Sequence, residues 1–390
     1  MGRPAAERGP DRMRVAHVSD VYLPRLGGVE LHVRDLATRQ RRRGDDSFVL
    51  TTTGYGEDHP SDVPVLRLGE GRRLSAGPHR WVAGAELAEA LRTCAAELMH
   101  VHISTFSPLS WTAARMAAAT GLPTVISVHS MWHDVLPMVR RYTRWYRAAG
   151  WPVVWTAVST AAAGAVSEAL DGAIVGVLPN GIDPSEWQTV RPPAEAVLPT
   201  LVSVMRMVRR KRPQALLDIL LALRASHPGR FRAVLVGDGP HRPRLQRRID
   251  ASGSAGSIHL AGALPRPAIR GILAAADLYI APAPRESFGI AALEARTAGV
   301  PVLARAGSGI ADFIRPDVEG WLADSDEELT AMLAGLLDDP ARLAAVAGHN
   351  RATGPAMSWP AVLEAADAAY ETAIRLRACP PARRRIGLPG

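Results

Sequence analysis

The chain alternates between short apolar runs and longer stretches with helical spacing. The apolar runs of the first half are RVAHVS (14–19), SFVLTT (47–52), LMHVH (98–102), TVISVH (124–129), WTAVS (155–159) and AIVGVLPN (173–180). Those of the second half are LVSVMR (201–206), AVLVGDG (233–239), SIHLAG (257–262), LYIAP (278–282) and VPVLA (300–304). Runs of this length and composition are typical of buried strands, so the pattern predicts eleven of them.

Helical patterns separate these runs. In VELHVRDLATRQ, for example, Val29, Val33, Leu36 and Ala37 fall on one helical face. Strands that alternate with helices predict parallel sheets wrapped by helices, which is the α/β class. Eleven strands are too many for one such sheet, and the Pro-rich stretch TVRPPAEAVLP (189–199) offers a linker near the middle. We therefore expect two Rossmann-like domains, which a length of 390 residues accommodates.

Composition adds little to this picture. The chain is 47% apolar and 22% charged, as is ordinary for a globular protein. The opening MGRPAAERGPDR has no apolar stretch, and no apolar run approaches the roughly 18 residues of a membrane span. Cys94 and Cys379 lie too far apart in sequence to indicate a disulfide framework or a metal site. These features favour a cytoplasmic protein without a signal peptide.

The net charge of +8 raises the question of an anionic partner. Basic clusters occur at 39–43 (RQRRR), 139–147 (VRRYTRWYR) and 383–385 (RRR). No nucleic-acid-reading motif is present and aromatic residues make up only 5%, so we expect no nucleic acid partner. The clusters still leave open a non-catalytic protein that binds membranes or nucleic acids. A milder possibility is an enzyme that docks on an anionic membrane surface.

Polar residues stand at the carboxyl ends of the predicted strands, where open parallel sheets bind ligands. Polar strand ends are also common in loops without a function, so they identify candidates only. The candidates are Asp20, His102, His129, Ser159, Asn180, Arg206, Asp238 and Arg285–Glu286.

The segment PRLGGVE (24–30) follows the first predicted strand and opens a helix. Two adjacent glycines, Gly27 and Gly28, allow the backbone to approach a ligand closely, and a helix N-terminus attracts anions. The alternative is a tight strand-to-helix turn with no ligand. The spacing is not GxGxxG, so NAD is not indicated.

The segment ESFGIAALE (286–294) carries two carboxylates around a helix start. Because the helix is apolar nearly all round, we expect Glu294 to be buried and to need hydrogen-bond partners, which sugar hydroxyls could provide. Glu286 precedes the helix, and Ser287, Gly289 and Ile290 can direct free N–H groups toward a phosphate. The alternative is that Glu286 only complements the helix dipole and Glu294 meets an arginine.

His129 ends a predicted strand and so belongs at the ligand-binding edge. A lone histidine in such a place is more often a hydrogen-bonded structural residue than a catalyst. His100, His102, His129 and His133 together could suggest a metal, but no pair has convincing ligand spacing on a helix. We expect no metal and no cofactor.

Taken together, these segments resemble the family 4 glycosyltransferases, which have the GT-B fold. The resemblance rests on the glycine pair, on His129 in VISVHS, on PNGID (179–183) and on the carboxylates in ESFGIAALE. It also rests on VSVMRMVRRKRPQAL (202–216), where Arg206 and Lys211 stand five residues apart. The match runs from about residue 14 to 376. The opening SDVYLPRLGGVE is similar to members that glycosylate phosphatidylinositol.

The resemblance implies roles for residues that match the family motifs. Gly27 and Gly28 would lie near the donor diphosphate, Arg206 and Lys211 would hold its oxygens, and Glu294 would bind the ribose. Glu286 would contact the donor sugar and His129 would touch it near the reacting carbon. The segment Ser287, Phe288, Gly289 and Ile290 would bind the distal phosphate through its N–H groups.

Lys211 is the single lysine among 46 Lys and Arg residues, and a compact, rotatable ammonium suits a diphosphate. We expect its neighbours Arg209, Arg210 and Arg212 to be solvated loop charge. The sequence departs from the family pattern at Gly44-Asp45, at Arg296-Thr297 and at Asp312. Of these, Asp312 affects the outer donor region.

The implied organisation is a disordered N-terminus (1–12), an acceptor domain (13–188), a linker (189–199) and a donor domain (200–356). A helix (357–376) would cross back to the first domain, followed by a flexible tail (377–390). The two domains would face each other across a donor and acceptor cleft. The implied activity is metal-independent transfer, with retention, from a UDP- or GDP-linked sugar to a glycan, lipid or small-molecule acceptor. The enzyme would be cytoplasmic, either free or peripheral on the inner face of the membrane. A GT-B sugar-nucleotide epimerase is the nearest alternative.

Overall fold

The computed structural model describes residues 12–25, 27–55, 62–69, 82, 84–188 and 198–378. The chain divides into two compact units. The first comprises residues 1–181 and 360–390, and the second comprises residues 182–359. The expected disordered N-terminus (1–12), apart from Arg12, lies outside the described residues, as do 189–197 of the linker and 379–390 of the tail.

The first unit contains a seven-stranded parallel sheet in the order β3-β2-β1-β4-β5-β6-β7. Its strands are β1 (Arg14–Ser19), β2 (Asp46–Thr51), β3 (Val65–Arg67), β4 (Leu98–Ile103), β5 (Thr124–Val128), β6 (Val154–Ala157) and β7 (Gly176–Val177). Its helices are α1 (Gly28–Arg43), α2 (Gly84–Thr93), α3 (Pro108–Thr120), α4 (Leu136–Trp145) and α5 (Thr160–Ala169).

The second unit opens with a short helix, α6 (Pro184–Trp187), and contains a six-stranded parallel sheet in the order β10-β9-β8-β11-β12-β13. Its strands are β8 (Thr200–Val204), β9 (Arg232–Val236), β10 (Ile258–Gly262), β11 (Leu278–Ala281), β12 (Val302–Arg305) and β13 (Gly320–Ala323). Its further helices are α7 (Pro213–Ser226), α8 (Arg242–Ala251), α9 (Arg266–Ala274), α10 (Ile290–Thr297), α11 (Asp326–Asp338) and α12 (Pro340–Ala352).

These sheets confirm the α/β prediction, and all eleven predicted strands form. The strand expected at 173–180 shrinks to the two residues of β7, which lies exposed at the sheet edge. The sequence pattern missed β3 and β13, which have three and four residues. The strands of the sheet interiors are buried along most of their length because helices cover both faces. β4, for example, is buried at every position.

The helices pack as their apolar spacing predicts. In α1, Val33, Leu36 and Ala37 are fully buried, and Val29 is half-buried. In α7, leucines at 216, 217, 220 and 223 pack into the core of the second unit. The last helix, α13 (Trp359–Ala378), belongs to the first unit from Pro360 onward. There Arg43 of α1 donates two hydrogen bonds of 2.6 Å to the carboxylate of Asp367.

Candidate functional site

The sheet of the second unit has a topological switch point between β8 and β11. From β8 the chain passes to β9 and β10 on one side, then returns to β11, β12 and β13 on the other. In open parallel sheets, ligands bind outside the carboxyl ends of the strands at such a point. Arg206 and Lys211 follow β8, and the segment 286–294 follows β11. The predicted donor residues of this unit therefore flank one crevice.

Lys211 and Glu286 form a direct ion pair, although 75 residues separate them in sequence. The Lys211 ammonium contacts the Oε2 atom of Glu286, and the two side chains are 21% and 17% exposed. A partly exposed pair can exchange partners with a ligand at low cost, because neither charge has been fully desolvated. The ammonium has three N–H donors, so Lys211 can keep Glu286 and still bind a phosphate oxygen.

Arg206 lies two residues beyond β8 and is exposed. A loop after β9 holds its backbone: the Met207 N–H donates to the Asp238 carbonyl at 2.8 Å, and the Met205 N–H donates to the Val236 carbonyl at 3.0 Å. Within the described residues, no hydrogen bond or ion pair engages the Arg206 guanidinium. The structure thus fixes the backbone at Arg206 and leaves the guanidinium available to a ligand.

Two glycines in the loop after β9 permit this close approach. A Cβ atom at Gly237 would overlap the Met205 carbonyl, and one at Gly239 would overlap the Met207 carbonyl. Both glycines also have positive φ values, +129° and +150°, that side chains rarely adopt. The sequence analysis did not select these residues. Their signal was the GDG sequence directly after a predicted strand.

The remaining arginines of the turn divide into two kinds. Arg209 and Arg210 are exposed, as expected for solvated charge. For Arg212 the expectation was wrong, because its guanidinium donates to both carboxylate oxygens of Asp326 at 2.7 and 2.5 Å. The hydrogen bond from Arg212 lowers the pKa of Asp326, and Arg305 adds to the effect. Arg212 therefore anchors the turn that presents Lys211.

Helix α10 begins at Ile290, later than the sequence suggested. The residue before it, Gly289, has a φ of +91°, and a Cβ atom there would overlap the side chain of Ile310. This sharp turn leaves the first N–H groups of α10 without partners inside the helix. Ser287 is half-buried, whereas the Phe288 side chain is 2% exposed and packs on Phe313 with ring centroids 5.5 Å apart. Only the backbone of Phe288 is thus available to a donor.

Glu294 is buried, as the apolar pattern of α10 predicted, with 7% of the residue exposed. The Arg266 Nε atom lies 3.9 Å from its Oε1 atom, so the alternative that it meets an arginine is also realised. At this distance the contact is an ion pair without a direct hydrogen bond. Burial is the main cause that raises the pKa of the nearby Tyr279, and the carboxylates of Glu286 and Glu294 raise it further.

Arg296 and Asp312, which depart from the family pattern, differ in burial and in contacts. Arg296 is buried, donates to the Thr353 carbonyl at 3.2 Å and lies 3.7 Å from the buried carboxylate of Glu319. Burial alone would raise the pKa of Glu319, but hydrogen bonds from Arg315 and the charge of Arg296 lower it to about 2. Arg296 is therefore a structural residue. Asp312 ends the turn Gly309–Asp312 and is half-buried.

The first unit has its own switch point, between β1 and β4. Gly27 and Gly28 follow β1, where Gly27 precedes α1 and Gly28 is its first residue. The carboxylate of Glu30 folds back so closely that a Cβ atom at Gly27 would overlap it, and Arg25 pairs with it at 3.0 Å. A side chain at Gly27 would therefore require the flexible Glu30 side chain to move. The acidic side chain of Glu30 lies at the start of α1.

Another strand-end candidate of the first unit serves the fold. The buried carboxylate of Asp20 accepts hydrogen bonds from the backbone N–H groups of Leu109 and Ser110 at 2.9 and 3.0 Å. It also accepts from the Ser110 hydroxyl at 2.8 Å. These donors belong to the first turn of α3, so Asp20 satisfies groups that have no partner within the helix.

His129 lies just beyond β5 and is 7% exposed. Its Nε2 atom is 3.0 Å from the Nδ1 atom of His102, whose Nε2 atom is 3.1 Å from the Nδ1 atom of His17. Burial lowers the pKa of His129 well below 6.5, and the nearby His32 lowers it further. His129 is therefore neutral and belongs to a buried chain of histidines that the sequence analysis did not detect. His133, by contrast, is exposed.

Three of the buried histidines are close enough to be tested as metal ligands. One nitrogen each of His17, His100 and His102 lies within 4.8 Å of the others. Every ring nitrogen of the three already has a hydrogen-bond partner, however, with Gln40, Tyr370, Ser127 and His129 completing the set. A metal would have to break these bonds. The arrangement fits a hydrogen-bond network better than a metal centre.

Two family models match the chain on either side of its middle. Residues 26–186 match the model described as "Glycosyltransferase Family 4", and residues 192–352 match the one described as "Glycosyl transferases group 1". Among curated relatives, a D-inositol 3-phosphate glycosyltransferase of Segniliparus rotundus is 28% identical, over 92% of this chain and 87% of its own.

Two further relatives extend the comparison. A GDP-mannose-dependent monoacylated alpha-(1-6)-phosphatidylinositol monomannoside mannosyltransferase of Corynebacterium glutamicum is 26% identical, over 86% of this chain and 91% of its own. Among solved structures, Anabaena HepE in complex with UDP and glucose superposes with a TM-score of 0.71 at 19% identity. The superposition covers 93% of this chain and 100% of HepE. This last likeness establishes the fold alone.

Proposed function

Because the chain belongs to the family 4 glycosyltransferases, we propose that it transfers a sugar from a nucleoside-diphosphate sugar to an inositol-containing acceptor. The acceptor is free inositol phosphate or the inositol head group of a lipid. The names of the relatives from Segniliparus rotundus and Corynebacterium glutamicum support this acceptor class. The observation that carries the proposal is the ion pair of Lys211 with Glu286 at the switch point of the second sheet.

The donor diphosphate binds Lys211 and Arg206 in this proposal. A hydrogen bond between charged groups is worth about 1.5–3 kcal/mol. The unpaired N–H groups at the start of α10, at Gly289 and Ile290, add a further contribution on the order of 0.3–2 kcal/mol. These groups stabilise the charge that develops on the departing nucleoside diphosphate. Preorganised donors of this kind usually supply the largest catalytic contribution.

The two carboxylates recognise hydroxyl groups. Glu286 accepts a hydrogen bond from the donor sugar while it orients the Lys211 ammonium. Glu294, buried in α10, accepts from the ribose hydroxyls. Carboxylates suit both roles because an ionised carboxylate only accepts hydrogen bonds and a hydroxyl can donate them.

We further propose that transfer retains the anomeric configuration. The acceptor hydroxyl attacks from the face that the diphosphate leaves, and a diphosphate oxygen takes its proton. Lys211 and Arg206 supply the positive charge that this step requires, so the scheme needs no metal ion. His129 contacts the sugar, and the glycine pair Gly27–Gly28 lies near the diphosphate after the Glu30 carboxylate has moved aside.

A matched pair of variants tests the proposal. Lys211→Ala removes the ammonium, whereas Arg210→Ala removes an exposed charge from the same turn. With UDP- and GDP-sugars and phosphatidylinositol or inositol phosphate as acceptors, we expect Lys211→Ala to lower kcat/KM by about 100-fold. Arg210→Ala should stay within about twofold of the wild type. Equal activities of the two variants would remove Lys211 from the donor site.

The same assay separates transfer from the epimerase alternative. Transfer yields a glycosylated acceptor and free nucleoside diphosphate in equal amounts, as mass spectrometry detects. Epimerisation yields a new nucleotide sugar and needs no acceptor. A new nucleotide sugar formed at the same rate with and without acceptor would contradict transfer.

We also propose that α4 docks the enzyme on an anionic membrane surface that contains the lipid acceptor. Among the described residues, no helix is long and apolar enough to cross a bilayer. The outer face of α4 instead combines Met138, Trp145 and Arg141, which are all exposed. Helices with aromatic and basic residues on one face bind at membrane interfaces. Acidic neighbours hold Arg41 and Arg43 of the other cluster, and Asp171 holds Arg140 and Arg144 of α4, so the docking face proposed for α4 relies on Arg141.

Vesicle co-sedimentation tests the docking proposal. We expect binding to vesicles with 30% phosphatidylinositol, used as the probe surface, and loss of binding in 0.5 M salt because surface attraction is screened. Trp145→Ala should weaken binding, whereas Ile174→Ala removes an exposed apolar side chain elsewhere and should not. Equal binding by both variants, or salt-independent binding, would contradict a role for α4.

A further inference from the structure

Buried polar side chains of the first unit form one continuous hydrogen-bond chain that ends at His129. It connects six elements of the unit, namely α1, β1, β4, β5, β6 and α13, and ends just beyond β5. In order, its members are the Ile126 carbonyl, Thr156, Ser127, His100, Tyr370, Gln40, His17, His102 and His129. Each link is 2.7–3.2 Å long. The donor and the acceptor of each link remain to be assigned, and this assignment sets the tautomer of each histidine.

A main-chain carbonyl fixes the direction at one end. The Ile126 carbonyl can only accept, so the Thr156 hydroxyl donates to it at 3.2 Å. Thr156 Oγ1 must then accept from the Ser127 hydroxyl at 2.7 Å. Ser127 in turn accepts from His100, whose Nε2 atom lies at 2.8 Å and so carries the proton.

The donor-to-acceptor direction set at Ser127 also determines the roles of Tyr370 and of the Gln40 side-chain amide. Because the neutral His100 has its proton on Nε2, its Nδ1 atom accepts from the Tyr370 hydroxyl at 2.9 Å. The Tyr370 oxygen therefore accepts from the Gln40 Nε2 group, also at 2.9 Å. This sets the Gln40 amide with its Oε1 atom toward His17 at 2.7 Å, where it also accepts from Ser47 at 2.9 Å.

The orientation of the Gln40 amide then determines the tautomers of His17, His102 and His129. Gln40 Oε1 requires the proton of His17 on Nε2, which leaves the Nδ1 atom of His17 to accept from His102 Nε2 at 3.1 Å. The Nδ1 atom of His102 likewise accepts from His129 Nε2 at 3.0 Å. His129 thus has its proton on Nε2, and its Nδ1 atom keeps a free lone pair.

The reverse direction is less favourable. If Ser127 donated to His100, Thr156 would donate to Ser127, and the bond to the Ile126 carbonyl would be lost. A charged histidine is also excluded within the chain, because both of its nitrogens would donate and one would face another donor. Burial lowers the pKa of His17 to about 4 against the opposing effect of Gln40, and it lowers the pKa of His100 and His102 well below 6.5.

We infer that Gln40, Tyr370, His17 and His102 are positioning residues that hold His129 in its Nε2–H tautomer, so that Nδ1 meets the substrate as a hydrogen-bond acceptor. An acceptor selects a hydroxyl group of the sugar, because a hydroxyl can donate and a phosphate oxygen cannot. The functional part of this inference rests on the proposed function, in which His129 contacts the donor sugar. The tautomer itself is a property of the ligand-free protein.

Nitrogen-15 NMR of histidine-labelled protein tests the tautomer directly. The His129 signals are assigned by comparison with His129→Asn, and couplings identify which nitrogen carries the proton. We expect His129, His102 and His17 all to be neutral Nε2–H tautomers at pH 7 without ligand. An Nδ1–H tautomer or an imidazolium at His129 would overturn the inference, whatever reaction the enzyme performs.

A matched pair of substitutions at the far end of the chain tests the relay. Thr156→Val keeps the shape but removes the acceptor of the Ser127 hydroxyl. The buried Ser127 O–H can then be satisfied only by donating to His100, which reverses the direction. We expect the Nε2–H tautomer of His129 to fall about ten-fold relative to Nδ1–H. Thr156→Ser retains the hydroxyl and should keep the wild-type tautomer. An Nε2–H tautomer in both variants would show that the chain does not transmit direction.

Activity provides the second readout. If only the Nε2–H tautomer is competent, kcat should fall about as far as its population, again about ten-fold in Thr156→Val and not in Thr156→Ser. Tyr370→Phe cuts the chain between its two halves and should give both tautomers at His129. Thr372→Val, in the same helix, removes a hydroxyl that, among the described residues, bonds only to the helix backbone and to Arg375, and should change neither tautomer nor kcat. A reversed tautomer with unchanged kcat would contradict the functional part alone.

Discussion

The charged crevice of the second unit and the histidine chain of the first hold polar groups in opposite ways. Lys211 and Glu286 are charged and about one-fifth exposed, and each can take a new partner. His17, His100 and His102 are neutral, at most 1% exposed, and have both ring nitrogens occupied. A site that must bind and release a charged donor needs side chains that can exchange an internal partner for the ligand. A residue that must present one fixed atom to the ligand needs hydrogen bonds that stay in place.

The two arrangements also respond to substitution differently. Removing a charge from the exchanging site weakens ligand binding with little effect on the fold, because the remaining groups are still hydrated. Removing a member of the buried chain leaves another polar group without a partner, which costs folding free energy. Variants that remove a charge from the crevice of the second unit should therefore change kinetics more than stability. Conditions that charge the histidines should change stability.

The largest effect is expected for Arg206→Ala. Its guanidinium is exposed on a fixed backbone, so the variant should fold normally and lose about 100-fold in kcat/KM. Arg209→Ala removes an exposed arginine three residues away and should leave kcat/KM nearly unchanged. Steady-state kinetics with a nucleotide sugar, together with melting temperatures, checks both. Near-normal transfer by Arg206→Ala would contradict its role at the diphosphate.

A somewhat smaller effect is expected for Glu294→Gln. The amide keeps the size of the buried side chain but removes the charge, so the affinity for the nucleoside diphosphate should fall about 10- to 100-fold. Calorimetric titration with UDP and with GDP measures it. A ribose role predicts the same loss with the 2′-deoxynucleotide on the wild-type protein. Unchanged affinity in the variant would contradict a ribose role for Glu294.

Gly237→Ala tests how the backbone at Arg206 is held. An added Cβ overlaps the Met205 carbonyl, and the φ of +129° disfavours a side chain, so unfolding free energy should fall by about 1–3 kcal/mol. Turnover should also fall because the Arg206 segment moves. Gly335→Ala in α11 meets open space and should instead gain about 0.5–1 kcal/mol. Urea unfolding of the two variants gives the comparison, and equal stability would be evidence against a tight approach at Gly237.

The last prediction is the pH dependence of stability. His17 and His32 have pKa values of about 4 in the folded protein and about 6.5 when unfolded, so the unfolded chain binds more protons between these values. The stability that these neutral histidines contribute is fully present above about pH 6.5 and is lost as the pH falls toward 4. At pH 6 the loss is about 1 kcal/mol for each of these two histidines. Glu319, with a pKa of about 2 in the folded protein, adds stability above about pH 4.5 that is lost as the pH falls toward 2.

Urea unfolding at pH 8.5, 7.5 and 6.0 measures this effect. Stability should be the same at the two higher values and lower at pH 6.0. A protein that is as stable at pH 6.0 as at pH 7.5 would show that the histidines accept protons without unfolding.

Much of the fold followed from the sequence because buried parallel strands form short, mostly apolar runs. The exceptions have physical reasons. β13 reads GWLA, and a glycine in a short run argues against a strand. In the structure Gly320 is required, because a Cβ atom there would overlap the Val302 carbonyl of β12. β3 has only three residues and pairs at the edge of the sheet, so its sequence carries little pattern.

For the candidate site, the sequence identified residues but not the contacts between them. The family motifs selected Arg206, Lys211 and Glu286 individually, but the pairing of Lys211 with Glu286 depends on two loops brought together by β8 and β11. Arg212 was misjudged because its partner, Asp326, lies 114 residues away. These contacts are set by tertiary structure, and local spacing does not encode them.

The histidine chain had a partial signal in the sequence. His100 and His102 alternate along one strand and so lie on the same face, and β1 places His17 opposite His100. The decisive members, Gln40 and Tyr370, are ordinary helix residues 330 positions apart. Only the packing of α1 and α13 on one sheet reveals what they do.

The most direct test of the account is identification of the product. Purified enzyme is incubated with UDP- and GDP-sugars and with phosphatidylinositol vesicles or inositol phosphate, and the product is analysed by mass spectrometry and proton NMR. The account predicts one sugar added to the inositol moiety, with the same anomeric configuration as in the donor. Inverted configuration would contradict the proposed mechanism, and absence of transfer from every donor to either acceptor would contradict the proposed function.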